Sequence, residues 1–109
     1  MRVLISQRAE DDLVRIYGQI AADNPESAER FRTAAEKALD LLGKHPELGP
    51  RPGWQTRHGR LRFWVISGFH NYLIYYEPGK GAVSIERVLD GRRDVRRIIE
   101  EGIEELPEG

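Results

Sequence analysis

Apolar residues recur every three or four positions in two stretches of the first half of the chain. Val3-Leu4-Ile5 predicts a short first strand, and Ser6 after it suits a helix N-cap. Residues 8–22 then carry apolar side chains at helical spacing, which predicts an amphipathic helix. Asn24-Pro25 is typical of a second helix start, whose apolar stripe is Ala28, Phe31, Ala35, Ala38, Leu39 and Leu42. Because their connection is short, the two helices are expected to form an antiparallel hairpin.

The second half of the chain contains three short apolar runs that are typical of strands. They span residues 61–66, 71–77 and 82–89. Ser67-Gly68-Phe69-His70 separates the first two runs. Pro78-Gly79-Lys80-Gly81 separates the last two and predicts an antiparallel hairpin.

Two further segments complete the predicted architecture. Residues 44–59 form a polar connection rich in Pro and Gly, and a loop of this length is often functional. Residues 92–101 predict a short C-terminal helix, so the order is β-α-α-β-β-β-α. Grouped helices and grouped strands predict an α+β fold, in which the helix hairpin packs on a three- to four-stranded, mainly antiparallel sheet. The 109 residues are expected to form a single domain, 1–109.

The net charge of −1 conceals an uneven distribution. Residues 51–97 hold ten Lys/Arg against four Asp/Glu, or +6, whereas an acidic tail from residue 98 onward holds five Glu and no basic residue. The basic half predicts an acidic partner, either a nucleic acid or an acidic peptide. The chain has no cysteine, which fits a reducing compartment, and no apolar run of membrane-spanning length. We therefore expect a cytoplasmic protein with no membrane contact.

The densest group of charges is Arg87-Val88-Leu89-Asp90-Gly91-Arg92-Arg93-Asp94, followed by Arg96 and Arg97. Arginines at a strand end and a helix start can grip phosphates or carboxylates through paired hydrogen bonds. Gly91 would let the backbone turn sharply and present them outward. The alternative is a solvated face in which Asp94 pairs with Arg97 or caps the helix, and Arg87 pairs with Asp94 or Glu86.

An aromatic group lies on the two middle strands and comprises Phe63, Trp64, Tyr72, Tyr75 and Tyr76. Such side chains can stack on bases or anchor a partner. Aromatic residues also favour strands, so about half of the group is expected to be core. Strand alternation places Tyr72, Ile74 and Tyr76 on one face, and Leu73 and Tyr75 on the other.

Residues suited to catalysis are scarce. His45, His58 and His70 lack partners at metal-ligand spacing and are expected on the surface. Glu10-Asp11-Asp12 is best explained by the favourable effect of acidic residues at a helix start, and Gly79-Lys80-Gly81 is a turn rather than a phosphate loop. We therefore expect no cofactor, no metal site and no assignable catalytic residue.

Six stretches within residues 3–97 share their order and spacing with a known family. They are Ala9-Glu10-Asp11-Asp12-Leu13, Asn24-Pro25, His45-Pro46-Glu47-Leu48-Gly49, Leu61-Arg62, Tyr72-Leu73-Ile74-Tyr75-Tyr76 and the segment from Val83 to Asp94. Together they resemble the RelE/ParE toxin superfamily, and specifically its ParE branch. The resemblance implies the toxin of a type II toxin–antitoxin system.

The superfamily divides by mechanism. RelE-like members are ribosome-dependent mRNA endonucleases with basic side chains on the central strands, whereas ParE-like members are regarded as poisons of DNA gyrase. Where the ribonucleases carry a catalytic Arg this chain has Tyr72, and Trp64 replaces the second of two basic residues that begin at Arg62. Phosphoryl transfer needs such cations, so the resemblance favours a gyrase-binding toxin that is not an enzyme. ParE-like chains often have His where this chain has Asp90, so no role is implied for that position.

The resemblance also implies surfaces and a partner. The target-binding surface is expected to contain Arg62, Arg87, Arg92, Arg93 and Asp94. A ParD-like antitoxin would wrap the toxin with its C-terminal segment and bind operator DNA through its own ribbon-helix-helix domain. The aromatic residues expected to contact it are Trp54, Trp64, Tyr72 and Tyr75. Two alternatives remain: a RelE-like mRNA endonuclease that uses Arg62, Arg87 and Arg92 on phosphate, and a degenerate member that only forms the antitoxin complex.

Overall fold

The order of helices and strands is the predicted β-α-α-β-β-β-α. The computed structural model describes residues 1–54 and 59–104, so His58 and the end of the acidic tail lie outside the described residues. The elements are β1 (Arg2–Ile5), α1 (Gln7–Asp23), α2 (Pro25–Lys44), β2 (Arg62–Ile66), β3 (Phe69–Pro78), β4 (Ala82–Asp90) and α3 (Val95–Glu104).

The helix hairpin begins and turns where the capping residues predict. The Ser6 hydroxyl accepts a hydrogen bond from the Ala9 amide at 3.0 Å, and the Asn24 side chain accepts one from the Ser27 amide at 3.1 Å. Asn24 alone separates α1 from α2. Leu13 of α1 lies opposite Leu39 of α2 across the groove between the helices, so the hairpin is antiparallel, as expected.

The sheet has the order β1-β4-β3-β2, in which β1 is parallel to β4 and the other pairs are antiparallel. The turn between β2 and β3 is tighter than expected, because only Ser67 and Gly68 form it, and Gly68 adopts a φ of 82°. Phe69 begins β3 and pairs with Ile66. At the other hairpin Gly81 adopts a φ of 78°, as the glycine-rich turn predicts.

Both faces of the sheet are covered. The helix hairpin packs on one face, where the predicted set of Tyr72, Ile74 and Tyr76 joins the main core. Leu73 and Tyr75 point to the other face, where a second, smaller core contains Val95 and Ile99 of α3. The expected alternation along β3 is thus confirmed, and α3 is the cover of the second face.

A β-bulge interrupts the pairing of β3 with β4. Tyr75 pairs with Arg87 but the adjacent Tyr76 pairs with Ile85, so Glu86 is the extra residue of β4. Ile85 and Val88, three residues apart, consequently both lie in the core under the helix hairpin. Arg87, the residue after the bulge, reaches α1, where its guanidinium meets Asp12.

Candidate functional site

The predicted arginine cluster lies at the corner where β4 ends and α3 begins. The backbone turns there through hydrogen bonds from the Gly91 amide to the Asn71 carbonyl (2.6 Å) and from the Arg93 amide to the Asp90 carbonyl (3.1 Å). We expected Gly91 to allow this sharp turn through the backbone freedom of glycine, but Gly91 does not adopt a positive φ. A Cβ at this position would lie 2.9 Å from the terminal Cδ1 of Leu73, so any larger residue here would require that side chain to shift.

Arg92 and Asp90 form an ion pair across this turn. The Arg92 Nη2 lies 2.6 Å from Asp90 Oδ2, and the Arg92 amide donates to Asp90 Oδ1 at 2.9 Å. These side-chain and backbone hydrogen bonds lower the pKa of Asp90 to about 2. Asp90 therefore orients Arg92, whose side chain is still 67% exposed.

Two further arginines at the corner face solvent. Arg93 and Arg96 are exposed, and neither forms an ion pair with any residue in 1–54 or 59–104. Asp94 caps α3 by accepting a hydrogen bond from the Arg97 amide at 3.3 Å, which confirms the capping role expected for it. The corner thus presents Arg92, Arg93 and Arg96 together on an open surface, here called the arginine corner.

Arg87 lies apart from the arginine corner. Its guanidinium donates to the Asp12 carboxylate from Nε at 2.8 Å and from Nη2 at 3.0 Å, and its side chain is only 19% exposed. The carboxylate also accepts from the Val88 amide at 2.9 Å and from Arg15 Nη2 at 2.9 Å. Asp12 is therefore a buried ion-pair partner and not a helix-start charge; the residue in the first turn of α1 that suits the dipole is Glu10.

Arg62 also lies away from the arginine corner. It pairs with Tyr76 on β3, whereas Asp90 pairs with Tyr72, and four residues of strand separate the two positions by about 13 Å. The Arg62 guanidinium donates to the carbonyls of Glu47 (3.2 Å) and Gly49 (2.7 Å). It therefore holds the loop after α2 against the start of β2.

Three of the four aromatic residues expected to meet an antitoxin pack mainly within the protein. Tyr72 makes an edge contact with Phe31 at 5.6 Å. Tyr75 is 3% exposed and stacks at a tilt on Trp54 at 6.4 Å, and this burial raises its pKa to about 12. The buried Trp54 Nε1 has no hydrogen-bond partner among the residues that the structure describes.

Trp64 differs because it lines an open groove. This groove, here called the edge groove, runs between α2 and the outer strand β2, and its lining includes Arg30, Lys37, Trp64, Val65 and Phe69. Val65 is 37% exposed. The edge groove thus combines apolar side chains with two cations and the Glu29 carboxylate beside the outer strand, whose Phe63 amide donates to the Pro50 carbonyl at 3.0 Å.

The described part of the chain offers no site for ordinary metal chemistry. Within residues 1–54 and 59–104, no three His, Cys, Asp or Glu side chains are grouped to hold a metal ion. Over the same residues, no helix is both long and apolar enough to cross a membrane.

The sequence profile of the ParE toxin of type II toxin–antitoxin systems, parDE, matches residues 3–95. The chain belongs to the ParE toxin family. It is accordingly a ParE-type toxin of a type II toxin–antitoxin system, as the resemblance implied. No curated protein is significantly similar in sequence.

Among solved structures, this family member is similar to a chain from the chromosomal ParDE toxin–antitoxin system of P. aeruginosa. The TM-score is 0.67 and the sequence identity is 16%, over 81% of this chain and 92% of the other. At this identity the likeness shows the fold. It agrees with the β-α-α-β-β-β-α order and the mixed sheet.

Two features of this ParE-type chain were missed by sequence reasoning. Asp12 was assigned to the helix dipole because its partner, Arg87, is 75 residues away in the sequence. The edge groove was missed because neither α2 nor β2 alone forms it. The sequence signal for the groove is the apolar run Phe63-Trp64-Val65-Ile66. Such a run, which does not alternate with polar residues, is typical of a strand that has apolar contacts on both faces.

Proposed function

We propose that this ParE-type toxin inhibits growth by binding and poisoning DNA gyrase in the cytoplasm, without catalysis of its own. The observation that carries the proposal is the packing of Tyr72 and Trp64. At these positions related ribonucleases place cations, and here both side chains pack against the core beneath the helix hairpin. A phosphoryl-transfer site needs preorganised charge at an open position, and the two aromatic side chains supply none.

The arginine corner is the proposed target-binding surface. Arg92 is oriented by Asp90, and Arg93 follows it directly on the exposed turn. Arginine is enriched among the residues that dominate binding energy at protein interfaces. Asp94 supports this surface by fixing the start of α3, while Arg87 and Arg62 contribute through the fold and not by direct contact.

A ParD-like antitoxin is the proposed partner, and the edge groove is its proposed binding site. β2 is the outer strand of the sheet, and beyond Phe63, whose amide donates to the Pro50 carbonyl, its edge can accept a further strand, with Trp64 and Phe69 providing apolar contact beside it. Arg30 and Lys37 on α2 suit an acidic, amphipathic segment. Operator DNA would then be contacted specifically by the antitoxin.

A gyrase supercoiling assay tests the target. Purified toxin should inhibit supercoiling, and Arg92→Ala combined with Arg93→Ala should weaken inhibition at least about tenfold, a loss of roughly 1.4 kcal/mol. Exposed substitutions of this kind typically change stability by about 0.5 kcal/mol or less, so urea unfolding should be almost unchanged. The matched control is Arg30→Ala with Lys37→Ala, which removes two exposed cations from α2 and should retain inhibition.

The same two double variants also test the antitoxin site, with the roles of test and control exchanged. Co-purification with the antitoxin should be weakened by the Arg30/Lys37 variant and retained by the Arg92/Arg93 variant. Ribosome-dependent mRNA cleavage that disappears in Tyr72→Phe, with no effect on gyrase, would instead establish the ribonuclease alternative. Unchanged growth on strong expression without the antitoxin would point to the degenerate alternative.

A further inference from the structure

A second concentration of positive charge lies at the end of the sheet remote from the arginine corner. It surrounds a concavity of about 690 Å³ between the loop that follows α2, the start of β2 and the turn that joins β3 to β4. The residues that line it are Met1, Lys44, His45, Pro46, Glu47, Leu48, Arg51, Arg60, Arg62, Pro78, Gly79 and Lys80. We call it the basic pocket.

The charge balance of the basic pocket is strongly positive. Among the described residues, its lining holds one carboxylate, Glu47, and five cationic side chains, those of Lys44, Arg51, Arg60, Arg62 and Lys80. The whole chain, by contrast, carries a net charge of −1. Charge of one sign gathered in a concavity creates a local field that the net charge does not reveal, so the basic pocket attracts anions even though the protein as a whole does not.

Three of these cations are available to a ligand. Lys44, Arg60 and Lys80 are exposed, and within residues 1–54 and 59–104 none of them is engaged in an ion pair. Lys44 ends α2, where a cation also favours the helix dipole. The helix dipole accounts for the position of Lys44 only. It does not account for Arg60 and Lys80, which reach the same pocket from the segment before β2 and from the β3–β4 turn.

The remaining two cations are held in place by the backbone. Arg62 donates from Nη1 to the carbonyls of Glu47 and Gly49, and Arg51 donates from Nη1 to the Gly59 carbonyl at 2.9 Å. A guanidinium has five N–H donors, so each retains donors for a ligand. The position of these groups is therefore fixed before any ligand arrives, which lowers the entropic cost of binding.

We propose that the basic pocket binds the phosphate backbone of a nucleic-acid duplex without regard to base sequence. Arginine and lysine at a concave surface are the side chains that contact phosphodiesters, and such contacts carry no sequence information. The pocket would give the toxin a nucleic-acid contact of its own, in addition to the operator binding assigned to the antitoxin.

The composition of the lining favours a duplex over two other anions. The lining contains no Phe, Tyr or Trp among the described residues. Proteins that bind single strands use aromatic side chains on which bases stack, and protein interfaces are enriched in aromatic residues and depleted in lysine. A duplex presents stacked bases inside and phosphates outside, and therefore needs only the cations that the pocket supplies.

Fluorescence anisotropy with labelled 20-base-pair DNA and RNA duplexes tests the proposal on the purified full chain. The test variant combines Lys44→Gln, Arg60→Gln and Lys80→Gln. The control combines Arg2→Gln, Arg32→Gln and Arg97→Gln, which removes three exposed cations that lie outside the basic pocket, the edge groove and the arginine corner. Both should retain the urea midpoint of the unmodified protein, because all six side chains are exposed.

We expect the test variant to bind duplex about tenfold more weakly than the control. The slope of log K against log salt should flatten by about 2.7, or about 0.9 for each phosphate that is no longer neutralised. Comparing the DNA and RNA arms identifies which duplex supplies the phosphates. The proposal is overturned if neither duplex binds, or if the control variant weakens binding as much. Tighter binding of a single strand of equal length, or of polyglutamate of equal charge, overturns it too. These results do not depend on gyrase inhibition, which is assayed separately.

Discussion

The ion pair between Asp12 and Arg87 gives the sharpest prediction about stability. Replacing Asp12 with Ala removes the acceptor of four hydrogen bonds, donated by the Arg87 Nε and Nη2, the Val88 amide and Arg15 Nη2. The Asp12 side chain is 4% exposed and that of Arg87 is 19% exposed, so water can replace only part of these hydrogen bonds. The Asp12→Ala variant is therefore expected to fold with a much smaller free energy of unfolding.

The magnitude follows from the two groups that are left behind. Breaking a buried ion pair by removing one partner typically costs about 3–5 kcal/mol, because the other charge remains uncompensated. The buried Val88 amide would have no acceptor, for which the typical cost is about 1–3 kcal/mol. These two costs overlap, since water entering the cavity can solvate both groups. We expect a total of about 4 kcal/mol, a large part of the roughly 5–15 kcal/mol that stabilises a domain.

Urea unfolding followed by tryptophan fluorescence measures the effect. With an m-value of roughly 2 kcal/mol/M, a destabilisation of about 4 kcal/mol lowers the midpoint by about 2 M. Asp11→Ala is the matched control, because Asp11 is exposed and its side chain accepts a hydrogen bond from Gln7 at 3.0 Å on the helix surface. A destabilisation below about 1 kcal/mol for Asp12→Ala would refute the reasoning. Combining Asp12→Ala with Arg87→Met should cost less than the two single changes together, since no charge is then left buried.

Two smaller predictions concern the loop after α2 and the arginine corner. Gly49→Ala places a Cβ 2.2 Å from the Phe63 carbonyl oxygen and 2.8 Å from the Tyr76 hydroxyl. Thermal unfolding should therefore show a destabilisation of about 1–3 kcal/mol. The control Gly53→Ala, whose Cβ would have no atom within 4 Å, should show little change. Asp90→Asn should flatten the pH dependence of unfolding between about pH 4 and pH 2. The folded-state pKa of Asp90 is lowered to about 2, so its contribution is present above the ordinary value of 3.8 and disappears as the pH falls through 2. Identical acid profiles for Asp90→Asn and the unmodified protein would contradict the assignment of this pair.

The fold was largely predictable because its determinants are local. Ser6 and Asn24 cap helices through atoms three residues away, and Gly81 adopts the positive φ that its turn requires. The predicted β2–β3 turn is two residues too long, because Phe69 and His70 belong to β3. They were assigned to the turn because they follow a glycine and two residues are too few to show the alternation of a strand. Their pairing is set by the neighbouring strand Arg62–Ile66 and not by their own sequence.

The candidate site was less predictable because it depends on contacts between distant residues. A short segment of sequence places Arg87 and Arg93 in one cluster, yet the structure separates them onto different surfaces. In the basic pocket, by contrast, residues that are far apart in sequence come together. Lys44, Arg60 and Lys80 line the same pocket only when three segments of the chain fold against one another. Charge counts detected the excess of cations in the second half, but not the two places where it gathers.

The bulge at Glu86 determines which residues at the end of β4 face each of the two cores. Strict alternation from Ile85 would turn Arg87 and Leu89 to the helix hairpin and Val88 away from it. With one extra residue, Val88 lies in the core under the helix hairpin and Leu89 turns to the core under α3, while Arg87 reaches Asp12 of α1. The inserted residue thus brings Val88 into the core under the helix hairpin and seats Leu89 against α3. Arg92 and Arg93 emerge from the turn between Asp90 and Val95, beyond both cores, and they are therefore exposed.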